Sequence, residues 1–179
     1  MNDATVIEAS LRDPRAFGAV FDRHFDAVHG YARRRVGDAL GEEIAAETFT
    51  RAFDHRSRYD LRHADARPWL LGIAGNLLRR HWRTERRRLA AQARAHAGEA
   101  AAVPNSPTEL AEVTAALDRL SKDERDVLLL YALADLTYDE IAVALDTPVG
   151  TVRSRLARAR RRLRPCVVNP YEIEESSHA

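Results

Sequence analysis

The sequence predicts an all-α protein built as two small helical domains joined by a linker. Apolar residues recur at the 3.6-residue spacing of a helix along the whole chain, and no stretch shows the sustained two-residue alternation of a half-buried strand. Helix-start patterns are frequent, and a segment rich in Ala, Pro, Asn and Ser separates two helical halves between Gly98 and Pro107. A chain of 179 residues is long enough for two such domains.

The charged residues are segregated along the chain, although the formal net charge is only +1. The segment from Arg79 to Arg88 carries six arginines against one glutamate, and the segment from Arg153 to Arg164 carries seven arginines and no acid. One such run is often no more than a solvated helix face. Two runs on helical patterns favour two separate surfaces that bind a polyanion.

Composition argues against several other classes of protein. No window approaches the roughly 18 apolar residues of a membrane span, and the start of the chain lacks signal-peptide regions, so we expect a cytoplasmic protein without membrane insertion. Cys166 is the only cysteine, which rules out an intrachain disulfide, and the histidines lack zinc-site spacing. The sequence offers neither a phosphate-binding glycine loop nor a nucleophile-base set, so we expect no enzyme, no metal and no cofactor.

The amino-terminal half predicts three helices. A first helix carries the apolar series from Leu11 to Tyr31, and a second begins after Gly37 or Gly41. A third, long helix opens at Pro68 and continues through Arg88.

The outer face of the long helix has the residue types that bind single-stranded DNA. It is predicted to expose Gly72, Asn76, Arg79 and Arg83, with Trp69 at one side. Arginines follow the phosphate backbone, an asparagine can hydrogen-bond a base edge, and stacking on an aromatic ring contributes about 1 to 3 kcal/mol per base. The alternative for Trp69 is a place in the core.

The carboxy-terminal half predicts four helices, beginning near residues 107, 122, 138 and 148. Capping boxes of the form Ser/Thr-x-x-Glu mark the first three starts, at Ser106, Ser121 and Thr137. A tight turn joins the last two helices, which together form a helix-turn-helix pattern.

The second helix of this pattern suits the major groove of duplex DNA. Opposite its apolar stripe lie Thr151, Ser154, Arg158 and Arg161, with Gly150, Arg153 and Ala157 toward one flank. Small residues let the backbone approach the groove floor while arginines reach base edges and phosphates. We expect Arg153 and Arg158 to read bases, and Arg155, Arg160, Arg161 and Arg162 to contact phosphates. The alternative is a hairpin inside a bundle, but this half has too few carboxylates to pair so many buried guanidiniums.

Both halves resemble the extracytoplasmic-function sigma factors. The run from Leu136 to Arg164, with its core Pro148-Val149-Gly150-Thr151-Val152-Arg153-Ser154-Arg155-Leu156, resembles sigma region 4, whose second helix reads the minus-35 promoter element. The segment from Glu42 to Phe53 resembles the region 2 helix that grips the beta-prime clamp of RNA polymerase. The segment from Arg67 to Arg80 resembles the helix that engages the minus-ten element.

The resemblance implies an alternative sigma factor that binds RNA polymerase core, recognises both promoter elements and promotes DNA melting. It assigns Glu43, Glu47 and Arg51 to the binding of RNA polymerase core. The parts of core that it implies as partners are the beta-prime clamp and the beta subunit. It assigns the loop from Arg58 to Asp65 to capture of an extruded base, and it implies an anti-sigma factor as a further partner. A simpler interpretation of the two glutamates is that they keep a helix soluble.

The predicted domain boundaries follow from these segments. Residues 10–95 form a sigma region 2-like domain, 96–106 a linker, 107–165 a sigma region 4-like helix-turn-helix domain, and 166–179 a disordered tail. Two other functions stay open on the residues alone. One is a helix-turn-helix regulator that binds duplex DNA as a dimer independently of polymerase, and the other is a basic helical protein that binds RNA or the ribosome.

Overall fold

Regular structure is helical throughout the residues that the computed structural model describes, 1–95 and 115–164, which confirms the predicted all-α class. The helices are α1 Asp3–Ser10, α2 Gly18–Val36, α3 Asp38–His55, α4 Arg67–Ala95, α5 Lys122–Ala134, α6 Tyr138–Leu145 and α7 Val149–Leu163. Residues 115–118 are also helical. None of these helices combines the length and apolar character that a membrane span needs.

The start of the chain departs from the sequence prediction. Leu11, predicted on the first long helix, lies in a turn after α1 and is 49% exposed. The helix cannot run through this point because Asp13 accepts a hydrogen bond from the Arg15 N–H at 3.1 Å and starts a separate 3₁₀ turn, Pro14–Phe17. The short helix α1 before it was not predicted, although Asn2 caps it by accepting from the Thr5 N–H at 2.9 Å.

The three long helices of the amino-terminal half pack around one apolar core. Gly37 links α2 to α3 with φ 82°, a left-handed conformation that glycine adopts without strain, so α3 can fold back along α2. Val28 and Tyr31 of α2 and Leu70 and Leu78 of α4 are almost fully buried in this core. The apolar pattern of the long helix predicts that Leu70, Ile73, Ala74 and Leu77 face inward, and in the structure three of them are buried and Ile73 is partly buried.

The carboxy-terminal half follows its local signals closely. Ser121 and Glu124 form the predicted capping box of α5, and Thr137 and Glu140 form that of α6. The turn between α6 and α7 ends α6 at Asp146, which adopts the left-handed conformation at φ 47°. The helix predicted to begin near residue 107, the linker 96–106 and the tail 166–179 lie wholly or partly outside the described residues.

The two halves pack directly against each other. Helix α6 lies across α4, so a Cβ on Gly72 would come within 2.2 Å of the Ala144 carbonyl oxygen. The prediction that Gly72 is exposed is therefore wrong, because a neighbouring helix occupies the space that its missing side chain leaves. Buried residues of both halves form one continuous cluster that includes Leu71 and Ile141.

Candidate nucleic-acid interface

Helix α7 presents one continuous polar face to solvent. Val152, Leu156 and Ala159 are buried against the rest of the carboxy-terminal half. Of the six residues predicted to face DNA, one is partly exposed and five are exposed: Thr151 in the first class, and Arg153, Ser154, Ala157, Arg158 and Arg161 in the second. The structure therefore brings all six predicted residues together on one accessible surface.

The arginines of α7 divide into two groups. Arg155 donates to Asp123 at 2.5 Å and Arg162 donates to Glu124 at 2.8 Å, so these two tie α7 to the start of α5. We expected both arginines to contact phosphates, but in the structure carboxylates of α5 already pair with them. Arg160 is likewise engaged, with its guanidinium 5.0 Å from the centre of the Tyr131 ring.

The second group of arginines is available to a ligand. Arg153 and Arg161 are exposed and make no side-chain hydrogen bond or ion pair with any residue in the described parts of the chain. Arg158 is half-exposed, with Nε donating to the Ser154 carbonyl oxygen at 3.2 Å and lying 4.0 Å from the Glu124 carboxylate of α5. These three guanidiniums supply the positive charge that faces solvent from the predicted DNA-binding surface.

The predicted minus-ten face of α4 is only partly open. Asn76 and Arg83 are exposed. Arg79 is not, because its Nη1 donates to Asp126 of α5 at 2.7 Å and only 19% of its side chain reaches solvent. Burial raises the pKa of Asp126, and the adjacent Arg79 guanidinium opposes that shift. The carboxy-terminal half thus covers Gly72 and Arg79 and leaves Asn76 and Arg83 exposed, with Asn76 Oδ1 accepting from the Arg79 guanidinium.

Trp69 is partly buried, so it has features both of a core residue and of a surface on which a base can stack. Its ring packs against the core cluster and lies 5.0 Å from the ring of Tyr59, while part of it stays exposed. A partly exposed ring that is held by a buried neighbour can serve both as a core residue and as a stacking surface.

The loop from Arg58 to Asp65 is held in place by its own side chains. The buried Tyr59 donates its hydroxyl to the His63 carbonyl oxygen at 2.7 Å. Asp60 accepts from the Arg62 N–H at 3.0 Å and from the Arg62 guanidinium, and these hydrogen bonds lower the pKa of Asp60. Leu61 and Arg62 point outward, exposed at the tip of an ordered loop.

The predicted core-binding residues lie on one side of α3. Glu43, Glu47 and Arg51 are at least partly exposed, and Arg51 donates to Glu47 at 2.6 Å one helical turn away. The sequence prediction is wrong for one aromatic residue of α2 that packs against α3. Phe21, expected to face inward, is 40% exposed and lies 4.8 Å from Phe49 between ring centres.

Comparison with known proteins decides the family. The family model described as "Sigma-70 region 2" matches residues 20–88, and that described as "Sigma-70, region 4" matches residues 110–163. The ECF RNA polymerase sigma factor SigC of Mycobacterium tuberculosis (strain CDC 1551 / Oshkosh) is 37% identical over 128 residues, covering 70% of this chain and 68% of the relative. The RNA polymerase sigma factor NccH of Alcaligenes xylosoxydans xylosoxydans is 31% identical over 180 residues, covering 91% and 95%. The chain belongs to the extracytoplasmic-function sigma factors.

The fold agrees with this family. The solved structure of CnrH in complex with the cytosolic domain of CnrY matches with a TM-score of 0.62 and 25% identity, covering 91% of this sigma factor and 95% of that chain. The prediction of an RNA polymerase-associated sigma factor is confirmed, with polymerase and promoter DNA as its partners. The alternative of a regulator that acts independently of polymerase is excluded by both matched regions.

One group of acidic and imidazole side chains in this sigma factor has the spacing of a metal site. Asp3, His24 and Asp65 bring one ligand atom each to within 4.8 Å of one another. However, Asp3 already accepts from the Arg23 guanidinium at 2.6 Å, and a fixed cation at the same carboxylate repels a metal ion. We therefore interpret the group as a set of structural hydrogen bonds.

Proposed function

We propose that this sigma factor recognises the minus-35 element with α7 and the minus-ten element with α4 and the loop from Arg58 to Asp65. The observation that supports this most is the open polar face of α7, where Arg153, Arg158 and Arg161 face solvent. Domains 10–95 and 107–165 would each bind one promoter element. The role requires binding alone, without catalysis, and is carried out where polymerase works, in the cytoplasm.

The contact of α7 with the minus-35 element and that of α4 with the minus-ten element, each weak alone, would act together. Once core polymerase holds the chain, engagement of one promoter element raises the effective concentration of the other half at its own element. Melting a base pair costs a few kcal/mol, and trapping the unpaired base on Trp69 and Asn76 offsets part of that cost. No nucleotide hydrolysis is required for this step.

The packed halves must separate for this function. The names of the two elements place them about 25 base pairs apart, or about 85 Å along B-form DNA at about 3.4 Å per step. In the structure α6 lies directly on α4, with Ala144 against Gly72. Separation would expose Gly72 and release Arg79 from Asp126, which completes the minus-ten face. The packed arrangement therefore represents the chain away from a promoter.

An anti-sigma factor is a further partner that we propose. The similar protein CnrH was solved in complex with the cytosolic domain of CnrY. A protein of this kind that stabilises the packed arrangement would keep the sigma factor off promoters.

Association with core polymerase tests the proposal most simply. Purified chain mixed with bacterial core polymerase should shift to a slower band on a native gel, and the complex should protect promoter DNA that neither component protects alone. Promoter protection by the chain alone, with no complex on the gel, would contradict the proposal.

Replacing Glu47 with arginine should weaken this association. The change reverses a charge on the predicted core-binding face but leaves the fold intact, since it replaces an exposed pair to Arg51 of about 0.3 to 0.5 kcal/mol with a like-charge pair whose cost is similarly small. The native gel should show the loss, while circular dichroism should show unchanged helix content. Glu8→Arg, the same reversal at an exposed site on α1, is the control and should bind like the parent. Undiminished binding by the Glu47 variant would remove α3 from the interface.

Replacing Asn76 with alanine should impair promoter opening more than closed-complex binding. Asn76 is exposed on α4, and its contact is expected only with an unpaired base. We expect permanganate reactivity of minus-ten thymines to fall by about 5-fold or more, with less than about 2-fold change in closed-complex affinity. A permanganate pattern identical to that of the parent would argue against this role.

A further inference from the structure

Helix α1 is tied to the entry of α4 through Asp3. The Asp3 N–H donates to the Ala64 carbonyl oxygen at 3.0 Å, and its carboxylate accepts from the Ala66 N–H at 2.9 Å. Ala66 is fully buried, and its carbonyl oxygen accepts from the Leu70 N–H at 3.0 Å in the first turn of α4. Two hydrogen bonds from one residue therefore fix both the end of the loop and the start of the helix that follows it.

The Asp3 carboxylate is charged although only 6% of the side chain is exposed. Burial alone would raise its pKa, but hydrogen bonds from Ala66, His24 and Arg23 outweigh burial and lower the pKa of Asp3 below its ordinary value. The two side-chain partners lie 2.6 Å away on α2. A negative charge at this place also interacts favourably with the positive end of the α4 dipole.

Anchoring of α1 alone does not account for this arrangement. Val6 and Ile7 already bury α1 in the core, and Asn2 already caps it. Asp3 is a first-turn residue, and an acid there stabilises its helix even when it is exposed to solvent. Its carboxylate is instead buried and accepts from the backbone of Ala66, 63 residues along the chain. Burying a charge is costly without compensating contacts. We therefore infer that the buried carboxylate of Asp3 serves to hold the backbone at Ala66 in place.

The loop held by Asp3 is also fixed at its middle. Tyr59 binds the His63 carbonyl oxygen and Asp60 closes a turn on Arg62, as described above. Asp3 supplies the remaining restraint at the carboxyl end, where Asp65 also accepts from the Arg67 N–H at 2.8 Å. A loop that is already in its bound conformation loses little conformational entropy when it binds a ligand.

We propose that Asp3 is a positioning residue for base capture, because it holds the loop from Arg58 to Asp65 against α4 in the shape that receives an extruded base. The proposal rests on the promoter-melting function given above. It assigns to α1 a role at the minus-ten element and none at the minus-35 element, which α7 contacts from the other half of the chain.

The test compares holoenzymes made with the full-length parent, Asp3→Ala, Asp3→Asn and Asn2→Ala. The probe is a fork-junction DNA built from a promoter that run-off transcription selects from genomic fragments. Its non-template strand carries either the natural base or an abasic site at each minus-ten position in turn. The ratio of the two dissociation constants measures how much each base contributes, and a general loss of stability does not change that ratio.

For the parent, we expect one position where the missing base weakens binding about 5- to 150-fold. Asp3→Ala should reduce that ratio to less than about 2-fold without changing affinity for duplex DNA that carries only the minus-35 element. Asn2→Ala removes the cap of α1 but leaves the Asp3 contacts, so it should keep the parent ratio. Asp3→Asn is nearly isosteric and keeps an acceptor for Ala66, so it should fold and give an intermediate ratio.

Two outcomes would overturn the proposal about Asp3 alone. One is a parent-like ratio in Asp3→Ala or, if that variant fails to fold, in Asp3→Asn. The other is an equal loss of the ratio in Asn2→Ala, which would mean that any weakening of α1 has the same effect. A parent holoenzyme that shows no base-dependent position at all would overturn base capture itself, and with it the melting function.

Discussion

Replacing Gly72 with alanine is expected to separate the two halves of this sigma factor. The new methyl group would lie 2.2 Å from the Ala144 carbonyl oxygen, and this neighbour is backbone that cannot rotate away. Either α6 moves off α4 or α4 bends, and separation breaks the pair of Arg79 and Asp126 and exposes part of the apolar cluster that the two halves share. Once separated, both partners of that pair regain hydration, which compensates for the lost contact.

Gly75→Ala is the matched control for this experiment. It lies on the same helix, and its new methyl group would have no neighbour closer than 4.0 Å. Both substitutions gain about 1 kcal/mol of helix propensity, so any difference between them comes from the contact with α6. Small-angle X-ray scattering should give a larger radius of gyration for the Gly72 variant than for the control. Equal radii would show that the contact between α4 and α6 does not hold the halves together.

Replacing Arg158 with alanine should weaken recognition of the minus-35 element in a base-dependent way. The guanidinium is exposed near the middle of α7, where its Nε donates to the Ser154 carbonyl oxygen and lies at the long distance of 4.0 Å from the Glu124 carboxylate, so it can turn toward a base edge. A bidentate contact with guanine contributes about 1 to 3 kcal/mol, which corresponds to about 5- to 150-fold in affinity. The loss should appear on the preferred sequence and nearly vanish on sequences that lack the contacted base.

Arg161→Ala provides the comparison for Arg158. Arg161 is exposed at the end of the same face and is expected to contact phosphate, so its loss should weaken all sequences alike and reduce the salt slope by about 1. Holoenzyme affinities for single-base variants of the upstream element, measured at several salt concentrations, separate the two patterns. A uniform loss from Arg158→Ala would reassign that residue to phosphate contact.

Local signals predicted the carboxy-terminal half well. The capping boxes at Ser121 and Thr137 set the starts of α5 and α6, because both partners of a capping box lie within one helical turn. The open face of α7 was also predictable, since the apolar stripe with Val152 and Leu156 fixes the side that packs inward. These features depend on residues that are close in sequence.

Contacts between distant residues could not be predicted in this way. Gly72 was predicted to lie on the exposed face of the long helix, but sequence does not reveal that α6 occupies this space. Arg79 was assigned to DNA, while its partner Asp126 lies 47 residues away on another helix. The contact of Asp3 with Ala66 spans 63 residues, and α1 itself carries too weak an apolar pattern to be recognised as a helix.

Run-off transcription tests the central claim most directly. Core polymerase would be supplied with fragments of the native genome, in the presence or absence of the full chain, and the RNA products would be sequenced. We predict discrete transcripts that require the chain, that begin downstream of a shared pair of sequence elements, and that are lost or weakened with Arg158→Ala. If polymerase with this chain starts no RNA on any fragment beyond what core alone makes, the account is contradicted.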